Sequence, residues 1–551
     1  MPVLTLTYRI NKEGKKQMKL DRFTLQQASS LVSQDFILPQ FDIASVKADT
    51  LAAPIWLQLG AGNIFRAFLA ADVQHLLNSG EMAKGVLVAE GYDYEIVDRL
   101  QAFDNLTVNV TLKGDGQVSQ EIIASIVDYY KMDPQMADFK ALKAIFQSAS
   151  LQMISLTITE KGYSLVDGQG ALLSAVAADF QNGPENVTSY LGKLCALLVE
   201  RFNAGAYPVA LVSLDNMSHN GEKLQAAISR FAQEWAQKGF VSEAFVHYLT
   251  DGDKVSFPWS MIDKITPRPD ASVAKLLTEA GLEEMAAQET KKHTFVAPYV
   301  NGEETQYLVI EDDFPNGRPP LEQAGVIFTD RRTVNLVETM KVTTCLNPLH
   351  TTLAIFGCLL GYQSIHEEMK DQDLVALISQ LGYQEGLPVV VDPQILDPKQ
   401  FLDEVIKVRF PNPFIPDTPQ RIATDTSQKL SVRFGETVKA YLKSDTLDVA
   451  NLQVIPLVYA GWLRYLTGVD DEGQVMPLSP DPLLGRLTPL FADFSFGAHS
   501  NREALWDLLQ EEKIFGVNLV EVGLADKVLT LFYQMSKAPG AVRQQIQQTI
   551  A

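Results

Sequence analysis

Between Glu338 and His350 the chain sets a carboxylate, the amine of Lys341, the amide of Asn347 and an imidazole within about three helical turns of otherwise apolar sequence. These groups suffice for proton transfer without a metal. A lysine acts as a general base near neutral pH when burial or neighbouring charge lowers its pKa by several units from about 10.4. The apolar run Thr351 to Leu360 just downstream would supply that burial. Asn347 can hold a carbonyl or alkoxide oxygen, and His350 can bind a hydroxyl or relay a proton. A buried helix whose polar residues are satisfied locally is the competing reading of the same segment.

A second motif points to a cofactor that could work beside such groups. The stretch Ile55-Trp56-Leu57-Gln58-Leu59 runs into Gly60-Ala61-Gly62-Asn63-Ile64-Phe65-Arg66, a strand, a glycine turn and a helix start. In a dinucleotide-binding fold the first glycine permits the tight turn and the second lets the backbone approach the pyrophosphate. Gly60 and Gly62 fit those roles, while Phe65 stands where a third glycine is usual. Glu90 closes the next short strand, Gly85 to Ala89, where an acid binds the adenosine ribose and repels a 2′-phosphate, so NAD is favoured over NADP. Asp93 competes for that role.

The elements that must position these groups follow from patterning. Apolar residues at Phe65, Phe68, Leu69, Val73, Leu76 and Leu77 have helical spacing, and Met153 to Ile158 and Val209 to Leu214 are further buried strands. Strands alternating with helices predict a doubly wound, mostly parallel sheet. Beyond Arg331 helical sequence dominates, broken at Pro411-Asn412-Pro413 and between Pro477 and Pro489. The fold class expected is therefore α/β and Rossmann-like at the N-terminal end, with a mostly α-helical C-terminal domain. The polar, proline-rich crossing Asp312 to Pro320 sets the boundary, giving an NAD-binding domain over 51–325 and a helical substrate domain over 326–551. Residues 1–50 read as an extension. In it Val3 to Ile10 alternates, Asn11 to Gly14 is turn chemistry and Gln17 to Leu20 pairs back as a hairpin.

Composition narrows the partners. With 551 residues and a net charge of -21, the chain is large enough for more than one core and too acidic for nucleic acid or an anionic membrane to be the main partner. Three cysteines, Cys195, Cys345 and Cys358, give no disulfide framework, and no apolar run reaches a membrane span. No leader-like start is visible, so a cytoplasmic, soluble protein is expected. The seven histidines, at 75, 219, 247, 293, 350, 366 and 499, form no close pair, and Cys345 with His350 is a weak metal site. No metal is expected. Neither a nucleophile elbow nor a phosphate loop is present.

Several ordered stretches together carry a resemblance: LGAGNIFRAF from Leu59, SLTITEKGY from Ser155, SLDNMSHNG from Ser213, FPWSMIDKITP from Phe257, VIEDDFPNGRP from Val309, the segment around Lys341, and AGWLRYLTGVD from Ala460. In these the chain resembles the polyol-specific long-chain dehydrogenases, a family that includes mannitol 2-dehydrogenase, fructuronate reductase and tagaturonate reductase. The resemblance covers most of the chain from about residue 55. It implies a metal-independent NAD reaction in the cleft between a Rossmann-like and a helical domain. It makes Lys341 the catalytic lysine, Asn216 and Asn347 the oxygen-holding asparagines, His350 the substrate-binding histidine and Glu338 a carboxylate coupling the lysine to solvent. Leu59, Gly60, Ala61, Gly62, Asn63, Ile64, Phe65 and Arg66, with Glu90, form the cofactor stretch. Asp263, Lys264, Arg421 and Lys429 are expected near the substrate, Lys264 standing where many relatives have arginine.

One spacing departs from the family. Lys341 and Asn347 are six positions apart where relatives usually have five, and His350 follows three later. On an ideal helix, at about 100° per residue, Lys341 and His350 would face opposite sides. A one-residue π-type bulge between Lys341 and Pro348 would restore a common face, and Pro348 already denies the ladder a donor. The expected reaction joins a ketose-type carbonyl and a secondary alcohol. A uronate needs a cation for its carboxylate, which favours fructuronate and mannonate over mannitol and fructose or another polyol pair. A protein that binds NAD as a sensor without turnover is the alternative outside the enzymes. A small-molecule sugar acid or polyol is the expected partner, and a monomer or small homo-oligomer the expected assembly.

Overall fold

Stretches with no polar face must be covered on both sides, and the first half of the chain uses them so in the computed structural model, which describes residues 9–10, 16–26, 36–498 and 502–551. Trp56–Leu59 (β1), Val86–Glu90 (β2), Ile126–Lys131 (β3), Met153–Leu156 (β4), Val209–Ser213 (β5) and Val255–Ser256 (β6) form one parallel sheet. Its order is β6-β5-β4-β1-β2-β3. In β1, β2, β4 and β5 every residue is buried. The order reverses between β1 and β4, so the loops leaving them diverge at the carboxyl edge, where sheets of this kind bind ligands. This is the Rossmann-like domain the patterning predicts.

Among the described residues, a four-stranded and a three-stranded sheet, with two two-stranded pairs, complete the first compact unit, Met1–Val334. Tyr299–Gly302, Thr107–Leu112, Val118–Ile123 and Phe36–Ile37 make the first, and Ser260–Asp263, Tyr307–Glu311 and Ile327–Thr329 the second. The first has its own core, to which Met18, Leu20 and Phe36 belong. The early segment is therefore built into this sheet: Met18 exchanges backbone hydrogen bonds with Gly281 and Glu283, and Phe36 pairs with Gln120. Arg9–Ile10 pairs antiparallel with Lys16–Gln17. The rest of the expected hairpin, residues 3–8 and 11–14, lies outside the described residues, as does His499.

The proline-rich crossing is anchored in the first unit. Asn316 donates to the carbonyls of Ala149 and Leu151, and Arg318 binds Asp312 and Glu322 while lying 3.6 Å over the Phe328 ring. The first turn of helix Arg331–Met340 is held there too, by Arg331 on Glu311 at 3.0 Å and over Trp259. The division thus falls between Val334 and Asn335, later than the polar composition suggests.

The second unit, Asn335–Ala551, is helical, and strand pairing among its described residues is limited to one bridge, Val469 to Val475. Helices Asn347–Leu360 and Val454–Tyr465 pack against each other, and both are buried over almost their whole length. Among its described residues four π turns interrupt the helices: Lys341–Cys345, Gln380–Gly386, Val405–Arg409 and Ser431–Gly435. Gly435 allows the last of these, since a Cβ there would lie 2.3 Å from the Phe515 carbonyl oxygen. Through the first π turn, Arg331–Leu360 becomes one helical run long and apolar enough to cross a membrane by length and composition. That differs from the sequence expectation, which counted only the apolar stretch to Leu360. Most of the run is buried inside the protein, as in a core helix.

Candidate active site

In the first unit the glycine turn hangs between β1 and the neighbouring strands. Gly60 has φ +98°, and a Cβ on it would meet the Thr157 carbonyl oxygen at 2.3 Å, so only glycine fits. Gly62 starts helix Asn63–Ala67 with no side-chain cap, and open space surrounds the position its Cβ would take. A backbone with free approach at an uncapped helix start suits a pyrophosphate. Buried Gln58 braces the turn from below, donating to the carbonyls of Leu59 and Gly60 and to Thr157 Oγ1. Phe65 packs edge-on against Trp56, and the helix breaks after Ala67 and restarts at Leu69.

Glu90 ends β2 with its carboxylate turned back on the turn. It accepts from the amides of Ala61 at 3.0 Å, Tyr92 at 2.8 Å and Asp93 at 3.2 Å. Three of about four acceptor positions are thereby used, which fixes the carboxylate and leaves one for a ribose hydroxyl. The competing Asp93 is buried and accepts from the Thr290 hydroxyl at 2.6 Å. Not every side chain of the cofactor stretch reaches the ligand surface. Leu59, Ala61 and Phe65 are buried, Ile64 is partly buried, and Asn63 donates to the Pro267 carbonyl. Arg66, 1% exposed, binds the Ala297 carbonyl and Asn63, so its guanidinium is a brace within the domain.

Asn216 is exposed on the loop after β5, at the carboxyl edge of the sheet. Its neighbour Asp215 ties that loop to the one after β4, accepting from the amides of Ile158 and Thr159 and from the Tyr163 hydroxyl. Thr159 is held there at φ +64°, a strained conformation of the kind that collects at functional sites. Asn220 joins the same loop to strand Ser260–Asp263: its side chain bonds the Ser213, Asp215 and Ser260 carbonyls and the Ser260 amide. Asp263, buried, ends that strand. The ammonium of Lys264 donates to the Glu303 carbonyl and to Gln306, both at 2.9 Å.

In the second unit, buried Lys341 opens the π turn expected from the spacing. The Leu346 amide bonds the Lys341 carbonyl, five residues back, at 3.1 Å. Pro348, without an N–H, leaves the Thr343 carbonyl to the Thr437 hydroxyl at 3.4 Å. The turn absorbs one residue, so Lys341 and His350 move from opposite faces to within about 80° of each other. Glu338, half-buried, lies one turn before the lysine, and Asn347 begins the next helix.

His350 is the centre of a basic cluster. Burial, then Arg433, Arg409, Arg421 and Lys429, push its pKa down to about 3. The ring is therefore neutral, and the Asp417 carboxylate 3.3 Å from Nε2 is not an ion pair with it. The approach is also out of line for a hydrogen bond, so Nε2 is buried with no protein partner among the described residues. Asp417 instead pairs with Arg421. Lys429, its pKa lowered to about 8 by burial and by Arg433, donates to the Thr424 and Ile422 carbonyls. Asp417, Arg409 and Arg433 belong to this cluster but to no stretch that stands out in the sequence. The spacing of Lys429 and Arg433, one helical turn, is the one local signal.

Family comparison bears on both units. Residues 54–323 match the model of the mannitol dehydrogenase Rossmann domain, and residues 333–535 that of the mannitol dehydrogenase C-terminal domain. The chain belongs to the mannitol dehydrogenase family. Within that family it is 50% identical over 537 residues to D-mannonate oxidoreductase of Thermotoga maritima, covering 97% of this chain and 99% of the relative. Among solved structures, D-sorbitol dehydrogenase in substrate-free form matches at 25% identity with a TM-score of 0.78, covering 97% of this chain and 100% of that one. Mannitol 2-dehydrogenase of Pseudomonas fluorescens, solved as a ternary complex with NAD and D-mannitol, matches at 27% identity and a TM-score of 0.68, covering 97% and 99%. Among the described residues, no group of three or more His, Cys, Asp or Glu is arranged to hold a metal ion. The Cys345 thiol, raised to about 12 by burial, faces the Pro398 carbonyl.

Proposed function

We propose that this protein is an NAD-dependent oxidoreductase that interconverts D-mannonate and D-fructuronate. The observation that carries the substrate is the basic cluster around His350, in a protein of net charge -21. Four cations lie near one buried, neutral ring, and the Asp417 carboxylate beside it is already paired with Arg421, so the cluster favours a further anion, which a sugar acid brings. The half-identical D-mannonate oxidoreductase supports the same substrate class. The backbone at Gly60 to Gly62 and the fixed carboxylate of Glu90 would hold NAD, which, when bound, supplies the hydride acceptor of oxidation and the hydride donor of reduction.

Lys341 takes the proton of the reacting hydroxyl in oxidation and returns it in reduction. Asn347 and Asn216 donate amide N–H groups to the oxygen on which charge develops, each such donor contributing roughly a few kcal/mol. His350, neutral across the working range, binds a neighbouring hydroxyl through Nε2. Glu338 passes the lysine's proton towards solvent. The reading places the enzyme in the cytoplasm, as a monomer or small homo-oligomer acting on a small sugar acid.

The test is NADH oxidation at 340 nm by chelator-treated protein, offered fructuronate, tagaturonate or fructose in turn. Rapid turnover of fructuronate above the other two is expected. Preference for fructose would move the enzyme to the mannitol reaction. Tight NADH binding with no turnover on any of them would favour an untested substrate or the sensor reading.

A further inference from the structure

We propose that Arg433 is the residue that receives the substrate carboxylate and so separates sugar acids from uncharged polyols. The inference rests on the proposed mannonate and fructuronate reaction. Each of the other cations near His350 has another commitment. Arg421 is paired with Asp417, the ammonium of Lys429 is held by two backbone carbonyls, and Arg409, 4% exposed, has interactions of its own. Lys264, the remaining basic residue expected at the substrate, is held by Glu303 and Gln306.

Arg433 differs from all of these. Its Nη1 donates to the Thr351 hydroxyl, and no carboxylate among the described residues pairs with it. Thr351 is buried and directly follows His350, so the guanidinium is aimed at the neighbourhood of the substrate-binding ring. The π turn that carries Arg433, Ser431–Gly435, packs against the π turn that opens with Lys341. With Nη1 occupied, Nε and Nη2 remain as a parallel donor pair, the arrangement that grips a carboxylate with two hydrogen bonds. A partly buried guanidinium with one hydroxyl partner lacks an anion, and the carboxylate of a sugar acid supplies it. Thr351 then acts as a positioning residue, fixing the plane of the fork.

The experiment measures steady-state constants of wild type, R433Q and R433K on fructuronate and fructose, with NADH affinity read by fluorescence and folding by thermal melting. Loss of a charge-assisted pair should raise KM for fructuronate about ten- to a hundredfold in R433Q, with a smaller fall in kcat. R433K, which keeps charge but loses the fork, should fall between. NADH affinity and any activity on fructose should stay within about twofold. If R433Q does not fold, R433K alone decides, because its KM must still rise severalfold. An unchanged fructuronate KM in the folded variants, with wild type active on fructuronate, overturns the role of Arg433 and leaves the proposed function intact. An equal rise for fructose also overturns it, since the loss would not concern the carboxylate. A wild type that turns over fructose and no uronate overturns both.

Discussion

Asp72→Asn tests whether the first unit stores destabilising charge next to the residues that hold Lys264. Asp72 lies in helix Leu69–Ser79 and is 2% exposed. Oδ1 accepts a long hydrogen bond from Gln306 at 3.4 Å, and Oδ2 has no hydrogen-bond partner. Burial raises its pKa to about 7, against opposing pulls from His75, Lys264 and Gln306. The unfolded chain releases that proton near 3.8 and the folded one near 7, so between these values the native state binds more protons and stability falls as pH rises. At about 1.4 kcal/mol per unit of pKa, the loss amounts to about 4 kcal/mol by pH 8. Asparagine keeps the shape and carries no charge at any pH. The assay is urea unfolding of both proteins from pH 4 to 8. The variant should be similar to wild type, or slightly weaker, at pH 4, and gain on it progressively, by about 4 kcal/mol, up to pH 8. Parallel stability curves across that range would refute the reasoning.

Two further outcomes follow from the same structure. Gly60→Ala forces a Cβ to 2.3 Å from a carbonyl oxygen and a side chain into positive φ, which alone costs about 1–2 kcal/mol. NADH affinity, titrated by fluorescence, should weaken at least about tenfold, and unchanged binding would remove the glycine turn from the cofactor site. Lys429, with its pKa at about 8, loses charge as pH rises through that value, so the dissociation constant for mannonate in the presence of NADH should increase above pH 8. Mannitol binding should not share that increase, and Lys429→Met should flatten it; a dependence that survives the substitution would assign it to another group.

How much of this was legible in the sequence depends on whether a feature is local. The parallel strands were, because Trp56–Leu59, Val86–Glu90, Met153–Leu156 and Val209–Ser213 are apolar runs closed by turns. So was the π turn, since the count from Lys341 to His350 does not fit a regular helix and Pro348 supplies the break. Ile126–Lys131 was not legible, because its tyrosines and charges hide a strand that pairs with β2. The early segment read as an extension, since its ties to Gly281, Glu283 and Gln120 join residues far apart in the chain. The basic cluster shows the same limit: Arg409 and Arg433 come from separate π turns and acquire meaning only beside His350. Glu90 looked like a ribose ligand from its place after a strand, and its bonds to Ala61, Tyr92 and Asp93 add a second task that no spacing announces.

The central claim is that Lys341 moves the proton. Its most direct test is Lys341→Ala, assayed for fructuronate-dependent NADH oxidation beside NADH binding measured by fluorescence. The account predicts NADH affinity within about threefold of wild type and turnover reduced by roughly 10²–10⁴, the usual worth of a positioned acid–base group. Turnover within tenfold of wild type, with binding intact, would contradict it.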